Sequence, residues 1–157
     1  MKDIGEFIDD LRKTLNGGVS VQAVCADAVY GIEHIRKVLR ITIESEKRKI
    51  TLAVRPEMDL LLRIACTDQI SIALRNIGLR NQGPGCFILL SKEKKELIKV
   101  TRHICKTKLK IDDSVLRPST AKKELISRRL GVQLNKFLSN DDAFTSYLSE
   151  KAALLTK

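Results

Sequence analysis

At 157 residues, with 43% hydrophobic and 31% charged side chains, the chain has the composition of an ordinary globular domain, which excludes a disordered chain and a membrane-spanning one. The longest apolar runs, such as Cys86 to Leu90, are far shorter than a bilayer span, and the opening Met-Lys-Asp-Ile has no apolar leader, so an intracellular, cytoplasmic protein is expected. The net charge of +10 is uneven: residues 67–157 carry 18 basic and 9 acidic side chains, against 11 and 10 in residues 1–66, a field that attracts polyanions.

Ile4, Phe7, Ile8, Leu11 and Leu15 recur at helical spacing and predict an amphipathic helix over about residues 3–15, stopped by Asn16-Gly17-Gly18. The alternating, β-branched stretch Val19 to Cys25 predicts a strand. Asp27 is the expected N-cap of a long helix from Ala28 to about Glu46, with Ile32, Ile35, Leu39 and Thr42 or Ile43 as its apolar stripe. Met58 to Cys66 is apolar enough for a buried strand or a buried helix and is read as a strand. Thr67 or Asp68 caps a helix over Gln69 to Ile77, ended by Gly78. After the turn Gln82-Gly83-Pro84-Gly85, Cys86 to Leu90 reads as a strand buried on both faces.

Ser91 opens a basic helix over about Lys92 to Lys106, with Leu97, Ile98, Val100 or Thr101, and Ile104 as its apolar side. Leu109-Lys110-Ile111 is a candidate edge strand, Asp112-Asp113-Ser114 a turn, and helices follow over about Ala121 to Leu130 and Asp141 to Leu155. This order predicts a single α/β or α+β domain spanning residues 1–157, with a small mixed sheet of three or four strands flanked by helices.

A search for chemistry returns absences: no phosphate loop, dinucleotide fingerprint, nucleophile elbow or zinc-protease helix is present. Cys25, Cys66, Cys86 and Cys105 are far apart and sit in apolar stretches, which favours packing in the core over a metal site. Neither a metal nor another cofactor is expected, nor a small-molecule substrate. His34 and His103 each lack a partner that sequence alone places, so a hydrolase built on either is the weakest reading. What remains is electrostatic. Lys92, Lys94, Lys95, Lys99, Arg102 and Lys106 include spacings of three and four on one helix, and Arg75 and Arg80 flank its neighbour. Such a surface suits phosphates, or is merely a solvated basic face. With no tryptophan and 4% aromatics, a base-stacking sheet is disfavoured.

The stretch Met58-Asp59-Leu60-Leu61-Leu62-Arg63, continued by Asp68-Gln69-Ile70-Ser71-Ile72-Ala73-Leu74-Arg75-Asn76-Ile77-Gly78, resembles the PRPK-binding protein family, the small subunit of the KEOPS complex. Ala26-Asp27 followed by His34, the strand Cys86 to Leu90, and Ile111 to Leu116 agree with it in the same order, over about residues 24–130. Asp59 stands where glutamate is usual and Cys66 where the family loop commonly has glycine.

The resemblance implies a non-enzymatic subunit that binds and stimulates the kinase-like ATPase of KEOPS. It also implies recruitment of tRNA, through its single-stranded CCA end, for threonylcarbamoylation of an adenosine beside the anticodon. On that basis Ile70, Ala73 and Ile77 are expected either to border an apolar pocket for the terminal base or to pack in the core. Arg63, Arg75, Arg80, Lys95, Lys99 and Arg102 are expected on phosphates, and His34 as a polar contact. For the kinase-like partner, Phe144, Tyr147, Leu148, Leu154 and Leu155 of the last helix are expected to offer an apolar surface. The alternative is a purely structural adaptor of that partner without specific RNA binding.

Overall fold

The computed structural model describes residues 4–15, 18–107, 109–137 and 139–157. Among them the fold is mixed α+β, with seven α-helices around a two-stranded antiparallel sheet. The strands are β1 (Ser20–Cys25) and β2 (Gly85–Leu90), paired in register from Ser20 opposite Leu90 to Cys25 opposite Gly85. The helices are α1 (Ile4–Thr14), α2 (Gly31–Arg48), α3 (Pro56–Ala65), α4 (Ile70–Ile77), α5 (Lys94–Cys105), α6 (Thr120–Leu130) and α7 (Asp141–Ala153). The expected stop at Asn16-Gly17 lies outside the described residues.

The sheet has two strands, not three or four. Met58 to Cys66 is the helix α3, because Pro56 at its first turn presets the helical φ and Glu57 and Asp59 complement the positive helix end. Every residue from Asp59 to Ala65 is buried, so the all-round apolarity that suggested a strand belongs to a helix enclosed on all sides. Its end is fixed by Cys66 in the left-handed region, φ 52°, whose N–H donates to the carbonyls of Arg63 and Leu62. Leu109 to Ile111 forms no strand, and an isolated bridge from Val24 to Gly78 is the one other ladder contact of β1 among the described residues.

Asp27 does not cap α2. It lies in a 3₁₀ turn (Ala26–Ala28), and α2 starts at Gly31, whose φ of 82° suits a residue without a Cβ. Ser91 lies two residues before the true N-cap of α5, Glu93, and accepts its N–H at 3.1 Å while donating to the Gly18 carbonyl. Thr67 Oγ1 accepts the Gln69 N–H ahead of α4, and Ser119 Oγ accepts the Lys122 N–H at the start of α6. Asp112 accepts the Ser114 N–H and opens a 3₁₀ turn, a contact that holds its carboxyl below the usual range.

Strand alternation splits the packing in two. Val24, Cys86 and Ile88 face the main cluster with Leu60, Leu61, Leu62, Ala73 and Ile77. Val21, Phe87 and Leu89 face a second cluster with Leu11, Val100 and Ile104 of α1 and α5. Each enclosed leucine of the main cluster contributes about 1.5–3 kcal/mol. A third cluster joins Tyr30, Ile126, Phe144 and Leu148, under α6 and α7.

Candidate nucleic-acid interface

α5 is anchored by Val100 and Ile104, which turn toward the sheet, while Ile98 and Thr101, expected among its inward residues, face solvent. Its opposite side carries Lys95, Lys99, Arg102 and Lys106, all exposed, at successive spacings of four, three and four that place them in one ridge. Within that ridge Lys99 pairs with Glu96 at 2.8 Å. The pair is solvated and worth at most about 1 kcal/mol, so its charge stays available.

Arg75 on α4 and Arg80 in the connection after it are also exposed, but Arg75 is separated from the ridge. α4 packs on the Val24 face of the sheet and α5 on the Val21 face. An RNA strand touching both sets has to pass around a sheet edge.

Two residues expected to contact RNA, Arg63 and His34, are instead buried. Arg63 has its guanidinium enclosed, with Nε donating to Asp59 Oδ2 at 2.7 Å, Nη1 to the Ala152 carbonyl at 2.7 Å and Nη2 to Ser45 Oγ at 2.9 Å. At 1% exposure it cannot reach a phosphate in solvent. His34 is enclosed on α2, and its Nδ1 accepts the Tyr30 N–H at 3.2 Å, which places its proton on Nε2. Burial pushes its pKa down to about 4, so the ring is neutral near pH 7 and is a packing residue rather than an RNA contact.

The expected base pocket is also corrected. Ala73 and Ile77 are sealed in the main cluster, and of the three residues Ile70 alone is exposed, beside Leu74 on the outer side of α4. Core packing takes α4's inward positions because Gly78 ties its end to β1. The last helix is corrected in the same way. Phe144 and Leu148 are buried against Tyr30, with the Tyr30 and Phe144 rings edge to face at 4.8 Å, and cannot form a docking surface. Tyr147 is half-buried beside Phe137, Leu155 half-buried on the main cluster, and Leu154 is 76% exposed.

Part of the positive charge is structural. Lys122 donates to the carbonyls of Val29 and Val115, and Lys123 to the Phe137 carbonyl and Asp141 Oδ1, so both are withdrawn from solvent. Burial lowers the Lys122 pKa, whereas Asp141, held by Lys123 and the Tyr30 hydroxyl, titrates below the usual carboxylate range.

Beside the ridge, α5 also carries a shallow apolar groove of about 590 Å³, open to solvent and lined, among the described residues, by α5 and its C-cap Lys106 alone, that sequence reasoning missed. Its signal was present in Leu97, Thr101 and Cys105 at successive steps of four, but these positions were indistinguishable from inward ones without knowing where α5 meets the sheet. Among the described residues no group of three or more histidine, cysteine or carboxylate side chains is placed to hold a metal, and no helix is long and apolar enough to cross a membrane. No family model matches the chain, and no curated protein matches it.

Proposed function

We propose that the chain is a non-catalytic RNA-binding subunit of the KEOPS type, which binds a kinase-like ATPase subunit and presents the single-stranded CCA end of tRNA. The observation that carries this reading is the solvent-facing ridge Lys95, Lys99, Arg102 and Lys106, three to four residues apart on one rigid helix. Cations so spaced follow a phosphate backbone and gain free energy from released counterions. The collinear resemblance at Asp68 to Gly78, Cys86 to Leu90 and Ile111 to Leu116 supports the choice of partner class. A hydrolase based on His34 needs a solvent-facing imidazole there, and His34 is enclosed.

The test is binding of the full chain to tRNA and to the same tRNA without its CCA end, across a salt series. Loss on trimming is the expected result. Equal binding with a steep salt slope reduces the ridge to nonspecific attraction, and absence of saturable binding leaves the structural adaptor.

A further inference from the structure

α5 offers solvent two different surfaces. One is the cationic ridge. The other is the groove, whose floor is Leu97, Ile98 and Thr101 and whose ends are marked by Lys94 and Lys106, with Arg102 between ridge and groove. These positions recur at steps of three and four, so the groove runs lengthwise along a twelve-residue helix, about 18 Å in extent. Ile98 is 41% exposed although Val100, two residues on, is buried, so the groove faces away from the sheet.

We propose that this groove is the docking site for an acidic amphipathic helix of a partner protein. The floor is aliphatic and needs an apolar occupant. A second helix laid along this face of α5 supplies one, with anchors at i, i+3 or i+4, and i+7 that match the spacing of its apolar positions. Among the described residues, the charged ones that line the groove are Lys94, Arg102 and Lys106, with no carboxylate among them. An occupant flanked by glutamate or aspartate therefore meets complementary charge along the whole length.

Other occupants fit less well. A second copy of this chain brings a net charge of +10 against +10, cation rim against cation rim. A nucleic-acid strand gains little from the floor, because no aromatic ring lines it for base stacking. A lipid surface needs a larger apolar payload than one leucine and one isoleucine supply. The docking site does not rest on the RNA reading, since its apolar floor lies outside the ridge; the two share only the border cations Arg102 and Lys106.

Cys105 lies in the groove and is exposed, so its alkylation by iodoacetamide reports occupancy in the full-length chain. The probe is a helical peptide with a leucine stripe flanked by glutamates. At about ten times its Kd, the peptide is expected to slow Cys105 alkylation about tenfold. Ile98→Glu, and separately Thr101→Glu, are expected to abolish that protection with the thermal melt unchanged, since both side chains are exposed. A peptide with lysine in place of every glutamate is expected to give none. Equal protection by the lysine peptide, or no protection by the acidic one, overturns the proposal. So does protection found only with phosphatidylserine vesicles or only on raising the protein's own concentration, which assigns the groove to a membrane or to a second copy.

Discussion

Arg63 follows Asp59 by one turn of α3, and the two side chains, 1% and 0% exposed, form an ion pair at 2.7 Å inside the core. The pair is not isolated. Asp59 Oδ1 also accepts the Leu52 N–H at 2.7 Å, and the guanidinium reaches Ser45 on α2 and the Ala152 carbonyl on α7. The buried pair thus ties three helices together through Arg63 and the segment entering α3 through Asp59. Desolvating both ions costs several kcal/mol, and the three further donor and acceptor contacts offset that cost.

Removing one ion alone leaves the other buried and unpaired. Arg63→Met is expected to lose about 3–5 kcal/mol of unfolding free energy, and Asp59→Leu a similar amount. The double variant is expected to lose clearly less than the two together. Urea denaturation of the three variants measures this, and single losses below about 1 kcal/mol would show that the pair is not enclosed in solution.

The same pair explains what the sequence revealed and what it withheld. Amphipathic helices with one wet face, such as α2 and α5, were legible because polar residues mark the period. α3 was not, because a helix enclosed on every side has no such face. The i, i+4 spacing of Asp59 and Arg63, with Pro56 ahead, was the local sign of a helix. The cations of α5 were legible as a ridge from spacing alone. That Arg63 and His34 turn inward, and that α4 and α5 take opposite faces of the sheet, depends on long-range packing of β1 against β2, which no local pattern records.

His34 makes stability depend on pH. Its pKa is about 4 in the folded chain, below the ordinary 6.5, because burial disfavours the imidazolium. The unfolded chain therefore takes up the proton first, and stability falls as pH drops from about 6.5 toward 4, by about 3 kcal/mol in full. Asp141 acts separately and lower, its contribution being lost as pH falls below about 3.8. Denaturant midpoints of the parent and of His34→Asn between pH 4 and 7 check this. A parent curve as flat as the variant's sinks the assignment.

The four thiols are expected to separate kinetically. Cys105 is exposed, whereas burial pushes Cys66 and Cys86 up to about 11 and Cys25 is enclosed. At pH 8 a thiol of that pKa is ionised to about one part in a thousand, and the thiolate is the nucleophile. Mass spectrometry of the native chain after limited iodoacetamide treatment is expected to find Cys105 modified first. Comparable early modification of Cys86 would mean that the β1–β2 face opens readily.

The ridge on α5 makes a quantitative claim about salt. Each lysine or arginine that neutralises a phosphate of a single strand contributes roughly 0.7 to the slope of log affinity against log salt. Lys95→Ala and Arg102→Ala are each expected to weaken tRNA binding and to lower that slope by about this amount, with folding unchanged because both side chains are exposed. Arg75→Ala on α4, which packs on the other face of the sheet, and Arg80→Ala in the connection after it distinguish two paths for the strand. An unchanged slope in these two, with a reduced slope in the ridge variants, fits RNA lying along α5 alone. Equal reductions in all four require a strand that wraps the sheet edge. If no variant alters the slope, the ridge is a solvated face and the phosphate contacts lie elsewhere.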